Sequence, residues 1–312
     1  MGTPRFGQMI LEALIGHYEI VAVVTQPDRK AGRGRKVRIS PVKALAVERN
    51  LPVLQPQSLR QEDVVQQLRD LAPTVIMVAA FGQILPPSVL SLPKHGSINV
   101  HASLLPRHRG AAPIPAAILA GDKQSGVTIM LMDEGPDTGP VLSQAALDIT
   151  PEDTTASLTE KLGQLGGQLL LDTLPHWLAG KVTPREQDES QATYAGMLRR
   201  EDGRIDWTEP AEKIARRCRA FYPWPGAFTF WDEKRLKVLR ARPLSVDVPG
   251  ETPGKVVQFN SNVAVVTGEG LLILDKLQLA GKRPLSAEAF ARGHRDFVES
   301  LLHQCYGRTE RS

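Results

Sequence analysis

The sequence predicts two domains, an α/β domain built on a doubly wound parallel sheet and a small β-barrel domain that follows it. With 312 residues the chain is longer than one small core requires. From residue 19 to about residue 149, short β-branched runs alternate with segments of helical apolar spacing, which is typical of α/β sheets. Toward the end of the chain the runs are all short and separated by turn residues. We therefore expect the first domain at residues 1–180, a linker at 181–198 and the second domain at 199–312.

Four runs in the first domain have the composition of strands. They are Glu19–Thr25, Thr74–Ala80, Ser97–His101 and Gly126–Met132. Helical spacing occurs in Gln8–Leu14, Pro41–Asn50, Glu62–Leu71 and a long segment from Leu158 to Leu174 that ends at Gly180. The run Thr74–Ala80 is apolar almost throughout, as in a strand that is buried on both faces. We therefore expect a parallel sheet with helices on both sides.

The second domain begins with one predicted helix and continues with short strands. The helix is Glu209–Phe221, and the strands are Ala227–Trp231, Leu236–Ala241, Gly254–Phe259, Val263–Thr267 and Leu271–Leu279. A last helix, Ala287–Leu302, has Ser286 as its N-cap. Short strands at this spacing predict a small barrel of about the size of an oligonucleotide-binding barrel.

The charge differs between the two parts of the chain. Residues 1–194 contain 18 Lys and Arg against 19 Asp and Glu, whereas residues 195–312 contain 20 against 15. A basic second domain indicates an anionic partner such as nucleic acid. A solvated basic surface would give the same counts, so charge alone leaves both interpretations open.

Composition excludes several other classes. The two cysteines, Cys218 and Cys305, are far apart, with no CxxC and no histidine at metal spacing, so we expect neither a disulfide nor a metal site. No apolar run approaches the ~20 residues of a membrane helix. The first residues lack the basic and apolar regions of a signal peptide. We therefore expect a cytoplasmic protein, without a membrane partner and monomeric.

The densest candidate chemistry begins at the end of the third predicted strand. Asn99 and His101 are two residues apart, so both side chains leave the strand on the same face. Ligands of open parallel sheets bind beyond the carboxyl ends of the strands. An amide there can donate to an oxygen that gains charge, and an imidazole can move a proton near neutral pH. Taken alone, a strand-end histidine is more often structural, and an aspartate in a Gly/Pro-rich loop such as Asp137 is more often a turn residue.

The stretches around these residues carry a more specific signal. They are Ser103-Leu104-Leu105-Pro106, Arg109-Gly110-Ala111-Ala112-Pro113-Ile114, Gly126-Val127-Thr128-Ile129-Met130 and Met132-Asp133-Glu134-Gly135-Pro136-Asp137-Thr138-Gly139-Pro140. With these stretches the sequence resembles the folate-dependent formyltransferases, whose mark is N-x-H with S-L-L-P and a downstream Asp in a D-T-G loop. The resemblance implies a formyltransferase-type, Rossmann-like first domain and a catalytic trio of Asn99, His101 and Asp137. It implies 10-formyltetrahydrofolate as formyl donor, a primary amine as acceptor and no metal.

The same resemblance implies a folate pocket. Its residues would be Phe81, Gly82, Gln83, Ile84 and Leu85 after the second predicted strand, with Ser103, Leu104, Leu105 and Pro106 after the third. Two positions depart from the family pattern. Pro136 stands where an aliphatic residue is usual and restricts the backbone beside Asp137, and His108 stands where an aromatic ring is common. Neither departure changes the trio.

The formyltransferase interpretation leaves three acceptors open: a glycinamide nucleotide, a nucleotide-linked amino sugar or an aminoacyl-tRNA. The loop from Gln26 to Lys36 is basic and glycine-rich but lacks the spacing of a phosphate-binding loop. It resembles the loop with which family members that act on methionyl initiator tRNA grip the acceptor stem, which would involve Arg29, Lys30, Arg33, Arg35 and Lys36. In the predicted barrel, Lys282 and Arg283 lie in a turn that could reach phosphate. We therefore expect initiator methionyl-tRNA as partner, with the amino sugar as the alternative.

The first residues predict a feature of the sheet. Met1-Gly2-Thr3-Pro4 is typical of the first ligand-binding loop of a doubly wound domain, and a central strand normally precedes that loop. In the resembled family a short apolar strand stands before Met-Gly-Thr-Pro. Without it, backbone groups of two neighbouring strands would lie unpaired, at ~1–3 kcal/mol each. We therefore expect the natural chain to start roughly six to ten residues earlier, about one strand length, and the 312-residue form to have a low melting temperature.

Overall fold

The computed structural model describes residues 1–31 and 36–303. They divide into two compact units. The first comprises Met1–Ala117, Lys123–Ile149 and Ser157–Met197, and the second comprises Ile118–Asp122, Thr150–Ala156 and the chain from Leu198 onward. The segment predicted as a linker, residues 181–198, thus lies almost entirely within the first unit.

Up to residue 197, the described residues form ten strands and six α-helices. The strands are β1 (Val23–Val24), β2 (Arg29–Ala31), β3 (Lys36–Arg38), β4 (Val53–Leu54), β5 (Ile76–Val78), β6 (Ser97–His101), β7 (Arg109–Gly110), β8 (Gln124–Leu131), β9 (Val141–Asp148) and β10 (Tyr194–Ala195). The helices are α1 (Arg5–Leu14), α2 (Pro41–Glu48), α3 (Glu62–Asp70), α4 (Pro87–Leu90), α5 (Pro113–Ala120) and α6 (Thr155–Leu178). The four predicted strands and the predicted helices are present, whereas α5 and β9 were not predicted.

The main sheet of the first unit is mixed rather than all-parallel. Its strand order is β5-β6-β8-β9. β5 and β6 are parallel, but β8 runs antiparallel to β6, with His101 opposite Thr128, and β9 runs antiparallel to β8. The prediction of a parallel sheet is therefore wrong for β8. Apolar runs report burial on both faces, and burial does not determine the direction of a strand.

Helices α1 and α6 pack closely through glycine. Leu158, Leu162 and Leu170 of α6 are fully buried, which confirms the predicted long helix. Gly163 lies against Met9 of α1, and a Cβ at that position would collide with the Met9 side chain. Glycine in a helix interior is intrinsically unfavourable, so close approach of the two helices explains its presence here.

Met1 and Gly2 lie between two separate groups of strands. β1 and β4 form one parallel pair, and β5 belongs to the main sheet. Gly2 pairs with Ala79 just beyond β5, and its N–H donates to the carbonyl of Val24 at 3.0 Å. Beside this dipeptide lies a cavity of about 450 Å³ with apolar walls from α1, β1 and β5. The cavity lies where the sequence predicts a further strand, and the start of the natural chain stays a prediction.

The second unit is a curled antiparallel sheet with a helix at each end of its sequence. The elements are α7 (Ala211–Ala220), β11 (Phe228–Trp231), β12 (Lys234–Leu244), β13 (Val256–Phe259), β14 (Asn262–Val266), β15 (Leu271–Leu279), β16 (Leu285–Ser286) and α8 (Ala287–Gly293). The strand order is β11-β12-β15-β14-β13, and β16 pairs with β15. Its core contains Trp207, Trp231, Phe290 and Phe297.

The last described residues connect the two edges of this sheet. His303 pairs with Phe230 of β11, and Leu301 pairs with Lys255 beside β13. The predicted last helix, Ala287–Leu302, is therefore wrong in its second half, because α8 ends at Gly293 and the following chain leaves the helix to make these bridges. The curled, nearly closed sheet agrees with a small barrel, whereas its oligonucleotide-binding type stays a prediction.

Two expectations from composition concern membrane helices and cysteines, and the structure describes part of the chain to which they apply. None of the helices in residues 1–31 and 36–303 is long and apolar enough to cross a membrane. Cys218 is a buried free thiol, and burial raises its pKa to about 12, which is typical of an unreactive core cysteine. Cys305 lies outside the described residues.

The amino terminus predicts a pH dependence of stability. The Met1 nitrogen donates to the carbonyl of Met77 at 2.5 Å, and its burial lowers the pKa of the amine from 8.0 to about 5. The unfolded amine therefore binds its proton more tightly than the folded one. The free energy of unfolding should rise by up to about 4 kcal/mol between pH 5 and pH 8. Urea unfolding at a series of pH values measures this rise.

Two modified chains serve as controls for that titration. Acetylation of the Met1 amine removes the titrating group, so the acetylated chain should lack this part of the pH dependence. An apolar extension in front of Met1 should do the same and should also raise the melting temperature, because it can pair with the strands that border the cavity. An identical pH dependence in the free and acetylated chains would show that the amine is not buried in solution.

Candidate active site

The structure places Asn99 and His101 at the carboxyl end of β6, as the sequence predicts. Both side chains are buried, with 8% and 6% of their surface exposed. β6 is a central strand of the main sheet, with parallel β5 on one side and antiparallel β8 on the other. The two side chains therefore occupy fixed positions on a rigid strand, which is how catalytic groups are held in precise geometry.

Asp137 joins them from the loop between β8 and β9. Its backbone is left-handed, with φ at 58°, a conformation that Asp tolerates better than most residues. One carboxylate oxygen, Oδ1, accepts from Asn99 Nδ2 at 3.0 Å, and the other, Oδ2, accepts from the N–H of Gly110 at 2.8 Å. The predicted trio is thus assembled in one place, and the carboxylate is held at both oxygens.

The surroundings of His101 assign different roles to its two ring nitrogens. Nε2 lies 3.0 Å from the carbonyl oxygen of His108, which can only accept, so Nε2 carries a hydrogen. In the neutral ring the proton-accepting nitrogen is then Nδ1, which lies 3.6 Å from Asp137 Oδ1. This distance is too long for a hydrogen bond. Nδ1 therefore faces the carboxylate of Asp137 without a hydrogen bond to it.

A segment that the sequence predicts as linker forms one wall of the site. We call residues 185–195 the strap. Arg185 pairs with Val141 at the start of β9, and Tyr194–Ala195 pairs in parallel with Arg109–Gly110. The hydroxyl of Thr193 accepts from the N–H of His108 at 2.8 Å. The strap therefore contacts the chain on both sides of the trio.

Arg109 connects β7 to the strap. Its side chain is fully buried and ion-pairs with Glu189 at 2.6 Å. Hydrogen bonding to Glu189 raises the pKa of Arg109, and the same contact holds the pKa of Glu189 below its ordinary value. Gln187 lies between Arg109 and the loop of Asp137. The sequence indicates no role for Gln187 or Glu189, because residues 185–195 have no periodicity. The one sequence signal for this contact is Arg109, which lies in a stretch that resembles the family.

The two predicted folate segments follow adjacent parallel strands. Phe81–Leu85 follows β5 and Ser103–Pro106 follows β6, so both lie at the same edge of the sheet as the trio. Phe81 and Leu85 are buried, whereas Ile84 is 76% exposed. The carbonyl of Gly82 accepts from Gln26 Nε2 at 2.9 Å, and Gln83 bonds to the backbone of Leu59 and Pro56. Hydrogen bonds to Gln26, Leu59 and Pro56 therefore hold this segment in place, and the apolar side chain of Ile84 remains exposed.

The second folate segment, Ser103–Pro106, is held by the hydroxyl of Thr128 and by the amide of Gln144. Thr128 Oγ1 donates to the carbonyl of Ser103 at 2.7 Å and accepts from the N–H of Leu105 at 3.1 Å. Gln144 Nε2 donates to the same hydroxyl at 3.0 Å and to the carbonyl of Leu105 at 2.8 Å. The Ser103 hydroxyl is itself buried and donates to the carbonyl of Arg107. Ser103 therefore shapes the loop, while Leu104 and Pro106 are partly exposed.

The predicted basic arm is described in part. β2 and β3 pair as a hairpin, and Arg29 bonds to Gln26 at its base. Asp28 ion-pairs with Lys43 at 2.5 Å, and this contact, with a hydrogen bond from Gln55, lowers the pKa of Asp28. Arg33 and Arg35 lie outside the described residues, as do the side chains of Lys30 and Lys36. The hairpin is thus anchored to the first unit at its base.

In the second unit several cations lie close together. We call Arg200, Arg235 and Lys237, together with the turn that carries Lys282 and Arg283, the basic surface. The turn that carries Lys282 and Arg283 begins at Ala280, whose N–H donates to the carbonyl of Arg235 at 2.9 Å. Burial and then the charge of Arg200 lower the pKa of Arg235, and burial followed by Arg235 and Arg200 lowers that of Lys237. Arg235 and Lys237 could not be singled out from the sequence, because the sequence of a strand does not indicate which charges lie side by side in the folded sheet.

Arg235 has unused hydrogen-bonding capacity. Its guanidinium carbon lies 3.5 Å from the centroid of the Phe228 ring. Its Nε and Nη2 atoms are buried and have no hydrogen-bond partner among the described residues. Nearby, Lys237 passes over Gly226, which follows the loop of Trp224, and Trp224 is 57% exposed. Clustered cations beside an exposed aromatic ring are typical of surfaces that bind single-stranded nucleic acid.

The residues that the structure describes contain no group of three or more His, Cys, Asp or Glu that could hold a metal ion. The trio itself presents an amide donor, an imidazole and a carboxylate. These groups are suited to acyl transfer, in which an oxyanion forms and a proton moves.

Comparison with known families identifies the class of protein. Residues 1–174 match the family model Formyl transferase, and residues 197–295 match the model Formyl transferase, C-terminal domain. The first match covers more than half of the chain. The chain therefore belongs to the formyl transferase family and matches the models of both its domains.

Curated relatives narrow the class. The methionyl-tRNA formyltransferase of Geobacter sulfurreducens is 46% identical over 95% of this chain and 93% of its own length. Those of Myxococcus xanthus and Magnetococcus marinus are 47% and 49% identical, over 95% and 94% of this chain and 94% of each relative. The chain belongs to the methionyl-tRNA formyltransferase family. The resemblance found in the sequence is thereby confirmed.

Solved structures with lower identity share the fold. WlaRD, a sugar 3N-formyl transferase, superposes with a TM-score of 0.63 at 18% identity, over 90% of this chain and 97% of that one. HypX from Aquifex aeolicus, crystallised with tetrahydrofolic acid, gives a TM-score of 0.58 at 21% identity, over 83% of this chain and 44% of that one. At these identities the similarity concerns the fold alone.

The Thr128 hydroxyl gives a testable prediction about the second folate segment. Thr128→Val removes the partner of the Ser103 carbonyl and of the Leu105 N–H, so unfolding free energy should fall by about 1–3 kcal/mol. Amide hydrogen exchange at Leu105 should accelerate in the same variant. Thr128→Ser keeps the hydroxyl and is the matched control. If the Val and Ser variants were equally stable, with Leu105 equally protected, Thr128 would not hold this loop.

Proposed function

We propose that the chain transfers the formyl group of 10-formyltetrahydrofolate to the amino group of methionyl initiator tRNA, giving formylmethionyl-tRNA. The observation that carries this proposal is the closed arrangement of Asn99, His101 and Asp137 in a chain that is 46% identical to a methionyl-tRNA formyltransferase over nearly its whole length. The proposed donor segments and the trio then lie at one edge of the main sheet.

The proposed mechanism follows from the contacts of the trio. The methionyl amine attacks the formyl carbon, and the formyl oxygen becomes an oxyanion. Asn99 Nδ2 has two hydrogens, of which one is donated to Asp137, so the second can be donated to this oxygen. A donor of this kind typically lowers the barrier by about 3–4 kcal/mol.

His101 and Asp137 handle the proton in this proposal. The attacking amine becomes an ammonium, and its proton passes to the His101–Asp137 pair, where Nδ1 faces the carboxylate. The charged ring then stabilises the neighbouring oxyanion through its charge, since its Nε2 hydrogen is already donated to His108. Collapse of the tetrahedral intermediate re-forms the carbonyl and breaks the bond to the folate nitrogen, which takes the proton held by the His101–Asp137 pair and leaves as the neutral nitrogen of tetrahydrofolate.

The donor site is proposed at the two loops that follow β5 and β6. Ile84 offers an exposed apolar side chain, and Leu104 and Pro106 are partly exposed at the same edge of the sheet. A flat pterin ring is suited to such a surface, with backbone groups fixing its orientation. The loops are already anchored by Gln26, Thr128 and Gln144, so little ordering is needed on binding.

Two features favour tRNA over the alternative acceptor, a nucleotide-linked amino sugar. The basic arm that contains Arg29, Lys30, Arg33, Arg35 and Lys36 would have no use with a small acceptor. The basic surface of the second unit, with the predicted Lys282 and Arg283 beside Arg235, offers contacts for phosphates of a long anionic ligand. The amino sugar would need the trio and the donor site alone.

The direct test is transfer of labelled formyl from 10-formyltetrahydrofolate to charged initiator tRNA, with a nucleotide-linked amino sugar as competitor. Label should appear on the methionyl amine and remain there when the sugar is in excess. Asn99→Ala, His101→Ala and Asp137→Ala should each lose turnover by about two to four orders of magnitude. Their melting temperatures should show that they still fold. Full turnover in any two of the three would contradict the assignment of the trio.

The basic surface predicts a salt-dependent contribution to tRNA use. Arg235→Ala should raise KM for tRNA, leave folate binding unchanged and reduce the slope of log affinity against log salt by roughly one unit, because one positive charge of this surface is lost. Arg242→Ala is the control, since Arg242 lies farther along β12 and contacts Asp275. Equal effects of the two substitutions would show that net charge matters rather than this surface.

A further inference from the structure

Gln187 of the strap is bonded at both ends of its side-chain amide. Its Nε2 donates to the carbonyl of Asp137 at 2.9 Å and to the carbonyl of Gly139 at 2.8 Å. Its Oε1 accepts from Nε and Nη2 of Arg109 at 3.1 and 2.9 Å. Carbonyls only accept and a guanidinium only donates, so these partners admit one orientation of the amide. The side chain is therefore fixed between Arg109 and the backbone of the Asp137 loop.

The backbone of that loop needs to be held. Asp137 has a positive φ of 58°, which is disfavoured for any residue with a Cβ. Gly139 approaches the carbonyl of Leu131 so closely that a Cβ there would collide with it. Backbone conformations of this kind persist where surrounding contacts specify them, and they concentrate at functional sites. The two bonds from Gln187 fix the carbonyls on either side of Thr138.

Arg109 reaches Asp137 by two routes. Its side chain, fully buried and ion-paired with Glu189, holds Gln187 and through it the Asp137 carbonyl. The next residue, Gly110, donates its N–H to Asp137 Oδ2 at 2.8 Å. The backbone and the carboxylate of Asp137 are thus set by the same short strand, β7, and by the strap that pairs with it.

We propose that Gln187 is a positioning residue for formyl transfer, which sets the Asp137 carboxylate against Asn99 and His101 and contacts neither substrate. The proposal rests on the proposed function for its kinetic effect. A displacement of the carboxylate by about 1 Å alters both its bond to Asn99 and its distance to His101 Nδ1, and displacements of this size cost about 100-fold in rate. Gln187 itself bonds to Arg109, Asp137 and Gly139 and to neither proposed donor segment, so substrate affinity should change little.

Gln187→Glu is the sharpest variant. It keeps the length of the side chain and the acceptor for Arg109, but an ionised carboxylate cannot donate to the carbonyls of Asp137 and Gly139. Two bonds to the loop are therefore replaced by repulsion, while the contact with Arg109 becomes stronger. Gln191→Ala is the matched control, since Gln191 lies in the same strap and its amide donates to Asp188.

For Gln187→Glu we expect kcat to fall at least tenfold, with KM for folate and for tRNA within about threefold of the parent chain. Gln191→Ala should leave both constants unchanged. A variant that merely destabilises the fold would lower the active fraction, so active-site titration with a tight folate ligand corrects kcat for folded protein. Parent-like kcat in Gln187→Glu, or a loss that appears in KM, would overturn the proposal.

A second measurement does not depend on the reaction. The ring nitrogen resonances of His101, assigned by comparison with His101→Ala, report the carboxylate 3.6 Å from Nδ1. They should move in Gln187→Glu and stay in Gln191→Ala. If the parent chain formylated no acceptor, the proposed function would fail while this readout still decided the role of Gln187. Unchanged His101 resonances in Gln187→Glu would show that Gln187 does not position Asp137.

Discussion

Asp137 joins three parts of the first unit that are distant in sequence, two through its carboxylate and one through its backbone carbonyl. Oδ1 is bonded to Asn99 on β6, and Oδ2 is bonded to the backbone of Gly110 on β7. The carbonyl of the same residue is bonded to Gln187 on the strap. A partly buried carboxylate is tolerated when its oxygens are satisfied in this way, and charge-assisted bonds of this kind are the stronger ones. The geometry of the site therefore depends on where this one residue lies.

The rest of the site follows from the direction of two strands. β5 and β6 are parallel, so the loops after them meet at one edge of the sheet, beside Asn99 and His101. β8 runs the opposite way, which places Thr128 next to His101 and under the loop that begins at Ser103. β8, a predicted strand whose direction could not be predicted, is thus the strand that supports the proposed donor site.

Much of this arrangement could be predicted from the sequence. Apolar runs located the strands, spacing located α6, and Asn99, His101 and Asp137 were identified before their contacts were known. The direction of β8 could not be predicted, because apolar composition is the same in both directions. Nor could Gln187 and Arg235, since hydrogen bonds and charges that meet across long sequence separations leave no periodic pattern. Ser103 was expected in the folate pocket, but its hydroxyl is bonded inside the loop.

The most direct test of this account is a crystal structure of the chain with a stable analogue of 10-formyltetrahydrofolate. We expect the pterin along Phe81–Leu85 and Ser103–Pro106. The formyl carbon should lie about 3–3.5 Å from the place that the methionyl nitrogen takes when it attacks, and the formyl oxygen should lie within hydrogen-bond distance of Asn99 Nδ2. The carboxylate of Asp137 should stay bonded to Asn99 and Gly110. A folate bound elsewhere, for example in the apolar cavity between β1 and β5, or a formyl group that points away from the trio, would contradict the account.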